Sequence, residues 1–321
     1  MTPHHPDHLR VAIAQIAPVL LDRDATLEKV HARVREAADA GARLVAFPET
    51  IVPGYPTWLA RTDGARFDDP LQKELHSRYL DQALELPGPE LQQLLALSSE
   101  VDVAIVLGCA ERGRQAGRGT LWASALWIGT DGSWSSHRKL VPTYEERLAW
   151  GPGDGHGLRV HDRDGWRVGA LNCWENWMPA ARMSLLAEGE EVHVSLWPGS
   201  PELTGNLSRV QAREGRTYVL AASGVLRPED VPLDLPGRDA LLARLGDSVL
   251  HGGGSRIVGP DGRDIEAADE PVETLLVADL SASKLRGERQ NFDPTGHYHR
   301  PDVFKIEVDR TRRAPVEFRE D

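Results

Sequence analysis

The stretch Val168-Gly-Ala-Leu-Asn-Cys-Trp-Glu-Asn-Trp-Met-Pro179 joins an apolar run to a polar, aromatic turn. The run from Val168 to Asn172 has the length and composition of a buried strand. Cys173 opens the turn, so its thiol is expected to be held rigidly at a strand end while a substrate can still reach it. A thiol in that position is a candidate nucleophile.

Strand and helix patterns alternate on the N-terminal side of this stretch. Residues 9–16 and 44–47 have the composition of buried strands, and the segment between them is helical in its periodicity. We predict the N-cap of this helix at Asp24 and a left-handed residue after it at Gly41. The apolar face of the helix is formed by Leu27, Val30, Val34 and Ala37. A strand, helix and strand within about 40 residues are typical of a layered α/β fold.

The rest of the chain adds antiparallel pairing to this pattern. Residues 121–128 and 133–140 flank Thr130-Asp-Gly132 and predict a β-hairpin. Later strands are predicted at 168–172, 192–197 and 218–223, with helices at 179–187 and 203–215 between them. Residues 255–258 and 274–279 are predicted to form a last strand pair around a turn at 259–262. The fold class is therefore α/β (α+β) with mixed sheets.

The 321 residues, 40% of them apolar, are enough for one large domain. We predict a flexible N-terminal tail at 1–8, a single domain at 9–280 and a C-terminal arm at 281–321. The segment 226–247 contains three prolines and scattered charge, which indicates a surface insertion. The arm is too aromatic for a disordered tail, and we expect it to contact a neighbouring subunit.

Charge and cysteine content argue against several classes of partner. The net charge is −12, and the sequence contains no cluster of five or more Lys and Arg, so neither nucleic acid nor a membrane surface is an expected partner. The longest apolar runs are far shorter than the roughly 20 residues that span a bilayer. Two cysteines without a framework pattern fit a reducing compartment, so a cytoplasmic location is expected.

Two other segments supply chemistry that complements a thiol. Hydrolysis by a thiol requires a base, a cation or amide donors to hold developing negative charge, and activated water. Glu49 follows a predicted buried strand in Phe47-Pro-Glu-Thr50, where desolvation would raise the pKa of its carboxyl group. Lys139 ends a predicted hairpin strand. Either residue alone would be read as a surface charge at a strand end.

Taken together, the segments resemble the three motif blocks of the nitrilase branch of the carbon–nitrogen hydrolase superfamily. The blocks are Phe-Pro-Glu-Thr at 47–50, Arg-Lys-Leu-Val-Pro-Thr-Tyr-Glu-Glu-Arg at 138–147 and Cys-Trp-Glu-Asn at 173–176. The likeness extends from about residue 9 to about 305. The tryptophan at position 174 favours the nitrile-cleaving members, because many amidases of the superfamily have Tyr or Phe followed by Asp after the cysteine.

The resemblance implies a four-layer αββα sandwich and a role for each motif residue. Cys173 would be the nucleophile, Glu49 the general base and Lys139 the group that stabilises negative charge, together with the backbone N–H of Trp174. Glu146 would correspond to the family's second glutamate, which helps to position water or substrate. The expected reaction converts a small-molecule nitrile and water into a carboxylic acid and ammonia through a thioimidate and a thioester. No metal or cofactor is expected, and a homodimer or higher homo-oligomer is implied.

Aromatic residues are concentrated in and beside the motif blocks, which suits an apolar nitrile substituent. The candidate substrate-binding residues are Tyr55, Trp150, Trp174 and Trp197. Core packing is the alternative for each of them. Two other functions stay open: an amidase or carbamoylase of the same superfamily, and a catalytically silent assembly subunit. The sequence does not identify the nitrile.

Overall fold

The computed structural model describes residues 6–114, 117–243, 245, 248–314 and 316. Residues 1–5 of the predicted N-terminal tail lie outside the described residues, and His8 already belongs to the first strand. Parts of the predicted insertion and of the predicted arm also lie outside them: residues 244, 246 and 247, and residues 315 and 317–321.

The described residues form fifteen strands and eight α-helices. The strands are β1 His8–Gln15, β2 Leu44–Ala46, β3 Leu84–Glu85, β4 Ala104–Arg112, β5 Leu121–Ile128, β6 Trp134–Arg138, β7 His161–Arg163, β8 Trp166–Asn172, β9 Val192–Trp197, β10 Tyr218–Ser223, β11 Val225–Leu226, β12 His251–Gly252, β13 Ser255–Val258, β14 Asp264–Ala268 and β15 Thr274–Ser281. The helices are α1 Arg23–Asp39, α2 Trp58–Arg61, α3 Pro70–Gln82, α4 Pro89–Val101, α5 Pro179–Leu186, α6 Pro201–Gly215, α7 Arg238–Leu242 and α8 Ala282–Glu288. None of the helices in the described ranges is both long enough and apolar enough to cross a membrane.

Two mixed sheets form the body of the molecule. The first has the strand order β15-β1-β2-β4-β5-β6, with the short β3 also paired to β4. The second has the order β14-β13-β10-β9-β8-β7. Neighbouring strands are parallel from β1 through β2 to β4 and from β8 through β9 to β10, and antiparallel toward both edges. Parallel neighbours require crossover helices, which explains where the helices lie.

Apolar residues on both faces of each sheet create four layers. One buried cluster joins the facing sides of the two sheets, including Val11 and Ile13 from β1 and Val192 and Val194 from β9. Helices α1 and α4 cover the outer face of the first sheet. Helices α5 and α6 cover the outer face of the second sheet. The predicted αββα sandwich is confirmed, and burial of both sheet faces supplies most of the hydrophobic stabilisation.

Helix α1 shows how closely the local pattern specifies an element. Its buried face includes all four predicted apolar residues, and Gly41 has the predicted left-handed conformation with φ +78°. The predicted N-cap was wrong by two residues, because Asp22 and not Asp24 accepts the hydrogen bond from the backbone N–H of Ala25. Both aspartates suit the position, so the pattern alone did not distinguish them.

The last predicted strand pair was also wrong. β13 pairs with β14 around the turn at 259–262, whereas β15 crosses to the other sheet and lies antiparallel to β1. β14 was missed because Asp264–Ala268 is almost entirely exposed and lacks apolar alternation. Helix α3 was missed as well, since only Leu75 and Tyr79 of its thirteen residues are buried.

Candidate active site

The four predicted catalytic residues converge between the two sheets. Glu49 lies three residues beyond β2, Lys139 directly follows β6, and Cys173 directly follows β8. Glu146 lies in the 3₁₀ helix Tyr144–Leu148. All four are buried. Strand ends from both sheets therefore hold these side chains together, although 90 residues separate Glu49 from Lys139.

Lys139 bridges the two glutamates. Its Nζ donates to Glu49 Oε1 at 2.8 Å and to Glu146 Oε2 at 2.7 Å. One carboxylate oxygen of each glutamate and the Sγ of Cys173 all lie within 4.8 Å of one another. A thiol, two carboxylates and an ammonium group thus share one buried volume, where electrostatic interactions are stronger than in water.

The two carboxylates differ in their hydrogen bonding. Glu146 accepts from the Tyr55 hydroxyl, from Lys139 and from the backbone N–H of Thr143, so both of its oxygens are fixed. Glu49 Oε2, in contrast, is buried and has no hydrogen-bond partner among the described residues. Glu49 therefore offers a free acceptor for a proton, whereas Glu146 is arranged to orient its neighbours.

The protonation states follow from burial and from this cluster of charges. Burial raises the pKa of Glu49 to about 8, although Lys139 opposes the rise. Burial also raises the pKa of the Cys173 thiol, against the influence of Lys139 and the backbone N–H of Trp174. Burial alone would lower the pKa of Lys139, but its interactions with the acidic groups Cys173, Glu49 and Glu146 raise it instead. Cys173 at rest is consequently a neutral thiol, which must lose its proton to a base before it can act as a nucleophile.

The backbone holds Cys173 in an uncommon conformation. Its φ is +46°, in the left-handed region, at the start of the 3₁₀ helix Cys173–Trp177. The Asn176 side chain donates to the carbonyl oxygen of Cys173 at 2.8 Å and also reaches that of Leu171. Asn176 is itself held by His193, Ser195 and Gln211. A strained residue fixed by a buried polar network is a feature of functional sites.

Glu175 ties the strand that carries the lysine to the strand that carries the cysteine. Its carboxylate accepts the backbone N–H groups of Leu140 at 2.6 Å and Asn172 at 2.9 Å. His137 Nε2 lies 3.1 Å from both oxygens. Burial would raise the pKa of Glu175, but His137 and the two backbone donors lower it, so the group is an ionised acceptor. The sequence analysis assigned no role to Glu175, His137 or the side chain of Asn176.

Tyr55 and Trp150 line the side of the cluster next to Glu146. Their rings pack edge to face with centroids 5.5 Å apart, and Lys139 Nζ lies 5.6 Å from the centroid of Trp150. The indole N–H of Trp150 donates to the Tyr79 hydroxyl. His251, which the sequence analysis did not place here, packs against Tyr55 and hydrogen bonds to Thr57 at 2.6 Å. Burial lowers the pKa of His251 to about 4, so it is neutral.

The other two predicted pocket residues lie in different surroundings. Trp197 is buried and belongs to a small cluster with Cys173, Leu207 and Ala221. The side chain of Trp174 is 48% exposed and lies beside Trp177. In the single chain, the structure therefore brings Tyr55, Trp150 and Trp197 to the catalytic cluster but leaves the indole of Trp174 half open to solvent.

Glu49, Glu146 and Cys173 offer three ligand atoms that could hold a metal ion. The Nζ of Lys139 already donates to both carboxylates, so an ammonium group occupies the position of the cation. The other cysteine, Cys109, is buried in β4, and burial raises the pKa of its thiol. It packs in the core that β4 shares with α1 and α4.

Comparison with known proteins identifies the family. The family profile described as carbon-nitrogen hydrolase matches residues 10–290, which is most of the chain. The chain belongs to the carbon–nitrogen hydrolase family.

Curated relatives place the chain within one branch of this family. It is 36% identical to "Nitrilase 2" of an unknown prokaryotic organism, with 97% of this chain and 95% of that protein covered. It is 36% identical to an aliphatic nitrilase of Sinorhizobium fredii, covering 96% of this chain and 97% of that protein. It is 38% identical to a bromoxynil-specific nitrilase of Klebsiella pneumoniae subsp. ozaenae, covering 96% of this chain and 87% of that protein. The chain is a member of the nitrilase branch.

Solved structures agree at the level of the fold. Nit3 of Saccharomyces cerevisiae, a member of branch 10 of the nitrilase superfamily, matches with a TM-score of 0.69 at 19% identity, covering 91% of this chain and 97% of that one. The amidase of Nesterenkonia sp. AN1 matches with a TM-score of 0.64 at 19% identity, covering 88% of this chain and 97% of that one.

Proposed function

We propose that this protein is a nitrilase that hydrolyses an organic nitrile to a carboxylic acid and ammonia, with Cys173 as nucleophile and Glu49 as general base. The observation that carries the proposal is the free, buried oxygen of Glu49 within the cluster that also contains Lys139 and the thiol. The 33–38% identity to curated nitrilases over nearly the whole chain supports the substrate class.

The first half of the reaction forms a covalent thioimidate. Glu49 accepts the thiol proton as Cys173 Sγ attacks the nitrile carbon, and it then passes this proton to the nitrile nitrogen, which regenerates the carboxylate. Negative charge that develops on this nitrogen is stabilised by Lys139 and by the backbone N–H of Trp174. Water, deprotonated by Glu49, then adds to the thioimidate carbon. Glu49 passes the proton from water to the amino nitrogen, the carbon–nitrogen bond breaks to release ammonia, and a thioester remains.

A second water completes the reaction. Glu49 again removes a proton from water, which attacks the thioester carbon, and the carbon–sulfur bond breaks to release the acid and restore the thiol. Two waters are consumed for each acid and ammonia formed. Glu146, fixed by Tyr55 and Thr143, keeps Lys139 in place and adds a fixed negative charge beside the reacting atoms. None of these steps uses a metal or an organic cofactor.

We further propose that Tyr55, Trp150 and Trp197 bound the site of the nitrile substituent, and that Trp174 contributes once the entrance is covered. The half-exposed indole of Trp174 and its neighbour Trp177 support a covering surface in an assembly. A homodimer or higher homo-oligomer would supply that surface. The two free cysteines, one of them the nucleophile, support a reducing location such as the cytoplasm.

We propose one catalytic domain at about 9–280, preceded by a tail at 1–8 and followed by an arm at 281–321, although His8 and Ser281 at the two boundaries still pair with each other as the ends of β1 and β15. Segment 226–247 has little regular structure among its described residues. Its Val231, Leu235 and Leu241 pack with the cluster that contains Trp58 and Tyr79. This segment supports the wall behind Trp150, because Tyr79 accepts the indole hydrogen bond.

The test is ammonia release and product mass from a panel of aliphatic, aromatic and arylacetonitriles and their matching amides. Cys173→Ala serves as the blank, and its melting temperature shows whether the fold is retained. Acid formed from nitriles supports the proposal, and the ranking of the panel identifies the shape of the pocket. Turnover of amides alone would assign the protein to the amidase reaction instead. Robust activity in Cys173→Ala would exclude the mechanism.

A further inference from the structure

A cleft outside the catalytic cluster is lined by five arginines. It has a volume of about 730 Å³ and lies between the edge of the first sheet and the C-terminal arm. Its arginines are Arg112, Arg114, Arg138, Arg312 and Arg313. They come from three distant parts of the sequence, so the cleft could not be predicted from a run of basic residues. Arg138 immediately precedes Lys139 in the sequence. Because successive side chains along a strand point to opposite faces, Arg138 lines the cleft whereas Lys139 contacts the catalytic glutamates.

Buried carboxylates hold the inner arginines in place. Arg138 donates through two nitrogens to Glu111 Oε1, and Glu111 Oε2 accepts from Ser124 and Ser136. The Arg138 guanidinium also lies 3.8 Å from the ring centroid of Trp122, which lines the cleft. One edge of the guanidinium is thus occupied, and the remaining N–H groups are available to a ligand.

Arg312 and Arg112 are also anchored, Arg312 by the buried carboxylate of Asp154 and Arg112 by the partly exposed carboxylate of Glu85. Arg312 donates to Asp154 Oδ1 at 3.1 Å and to the carbonyl oxygen of Ser136 at 2.9 Å. Arg112 donates to Glu85 and to the carbonyl oxygen of Leu80. Because these arginines are already ordered, a ligand would not have to immobilise flexible side chains, which is usually a large part of the cost of binding.

Positive charge exceeds negative charge in this cleft. Three carboxylates contact its arginines, those of Glu85, Glu111 and Asp154, so the five arginines exceed them by two. The side chains of Arg114 and Arg313 are paired with none of these three carboxylates, although the exposed carboxylate of Asp309 lies within electrostatic reach of Arg313. Burial lowers the pKa of Arg312; Asp154 opposes this effect, and the nearby positive charge of Arg138 adds to it. This excess stands in a chain whose net charge is −12.

We infer that this cleft binds a small oxyanion that carries at least two negative charges, such as phosphate or a dicarboxylate. Guanidinium groups match the planar or tetrahedral oxygens of both ligands through paired N–H donors. Two charges on the ligand would balance the excess of two arginines, and the volume leaves room for an organic group attached to the anion. The site is separate from nitrile hydrolysis and does not depend on it.

The test measures binding of inorganic phosphate and of malonate by isothermal titration calorimetry at fixed ionic strength, with sodium chloride as the reference. The variant is Arg114→Ser/Arg313→Ser, which removes two arginines of the cleft and leaves the ion pairs of Arg112, Arg138 and Arg312 intact. The matched control, Arg66→Ser/Arg286→Ser, makes the same change in net charge at two exposed positions that do not line the cleft. Melting temperatures verify that both variants fold.

We expect saturable binding of one or both anions to the unaltered protein and to the control. Binding to the cleft variant should be about tenfold weaker or more, because the charge-assisted hydrogen bonds of two guanidinium groups to the anion are lost. Preference for phosphate or for malonate then identifies the class of anion. Heats that do not exceed those of sodium chloride, or equal affinities in the cleft variant and the control variant, would overturn the inference.

Discussion

At the scale of single residues, the two glutamates of the catalytic cluster illustrate how surroundings divide the work between identical side chains. Both contact the same ammonium group. Glu146 has every oxygen fixed, whereas Glu49 keeps one buried oxygen without a partner. A general base must present a free lone pair to the proton that it removes. Hydrogen bonding therefore supports the proposal that Glu49 is the base and that Glu146 positions its neighbours.

Replacing each glutamate by glutamine should separate these roles. Glu49→Gln removes the proton acceptor, so kcat should fall by about 10⁴-fold or more, beyond the usual range for one general base because Glu49 acts in every step. Glu146→Gln keeps the acceptor for Tyr55 but weakens the hold on Lys139, and a smaller loss of kcat, about 10²-fold, is expected. Ammonia release under saturating nitrile measures both effects.

Glu145→Gln is the matched control for these two variants, because Glu145 is the sequence neighbour of Glu146 and makes no hydrogen bond to Lys139. Its activity should equal that of the unaltered enzyme. If Glu49→Gln kept activity comparable with this control, Glu49 could not be the base. If Glu146→Gln were the more damaging change, the two roles would have to be exchanged.

The raised pKa of Glu49 predicts the shape of the pH profile. A protonated Glu49 cannot accept the thiol proton, and burial raises its pKa to about 8. kcat/KM should therefore rise with pH, by about tenfold per unit on the acid side, and level off above about pH 8. Lys139 adds no loss in this range because its pKa is raised. An acid limb centred near the ordinary carboxyl value, about 4.3, would contradict the assignment.

At the scale of secondary-structure elements, the catalytic geometry depends on how β6 and β8 are held together. These strands belong to different sheets, so no ladder of backbone hydrogen bonds connects them. Glu175 provides the connection, since it accepts backbone N–H groups from Leu140, next to Lys139, and from Asn172, next to Cys173. One ionised carboxylate thus links the backbone beside the lysine to the backbone beside the thiol.

Glu175→Gln should disturb this connection without removing a reacting group. A glutamine has only one acceptor oxygen, so one buried backbone N–H would face an amide NH₂ and lose its partner, at a cost of about 1–3 kcal/mol. We expect a lower melting temperature and a drop in kcat of about 10-fold to 100-fold with KM nearly unchanged.

Glu202→Gln, an exposed change in the first turn of α6, serves as the control for general effects of the substitution. A purely structural role for Glu175 would lower the melting temperature but leave kcat of the folded fraction unchanged. The predicted positioning role requires that kcat falls at temperatures where the variant is fully folded. Comparing kcat of Glu175→Gln with kcat of Glu202→Gln at a low assay temperature, where both variants are folded, therefore distinguishes a structural role from a positioning role.

The sequence predicted an element well where many of its residues are buried, and poorly where few are. The predicted strands at 192–197, 218–223 and 255–258 coincide with β9, β10 and β13, because all of their residues are buried. β14 and α3 have few buried residues and produced no pattern to recognise. β15 was located, but its partner was not, since strand composition does not reveal which sheet edge a strand joins.

Prediction of the site depended instead on whether a residue lies in a short sequence motif. Cys173, Glu49, Lys139 and Glu146 were found because each lies in a short motif, and strand ends bring them together. Glu175, His137 and His251 were missed because their importance arises from contacts across 35 to 194 residues of sequence. A clue existed for Glu175, which directly follows Cys-Trp within the motif, but a motif does not state which backbone groups a carboxylate will accept.

At the scale of the whole molecule, the C-terminal arm combines contacts to its own chain with exposed apolar side chains. Arg310 contacts Glu188 and Arg312 contacts Asp154, so the arm is fastened to the body of its own chain. The large apolar side chains Val303, Phe304, Ile306 and Val308 of the same segment are nevertheless exposed. Exposed apolar groups concentrated in so short a segment indicate a contact surface.

Substituting two of these side chains should weaken assembly and spare the chemistry. In Phe304→Ser/Ile306→Ser the contacts of Arg310 and Arg312 remain, so the arm stays on its own chain. Each lost apolar side chain would have contributed about 1.5–3 kcal/mol if fully buried at an interface, so association should weaken roughly a hundredfold or more. Light scattering across a range of concentrations measures the loss of mass.

The behaviour of the thiol separates assembly from catalysis in that variant. Alkylation of Cys173 by an electrophile should proceed as in the unaltered protein, because the variant changes no residue of the catalytic cluster. A chain that ends at Pro301 would be a poorer probe, since it also removes Arg312 and leaves the buried carboxylate of Asp154 without that partner. An unchanged mass at every concentration in Phe304→Ser/Ile306→Ser would show that the arm is not an interface. The cover over Trp174 would then have to come from another surface of the molecule.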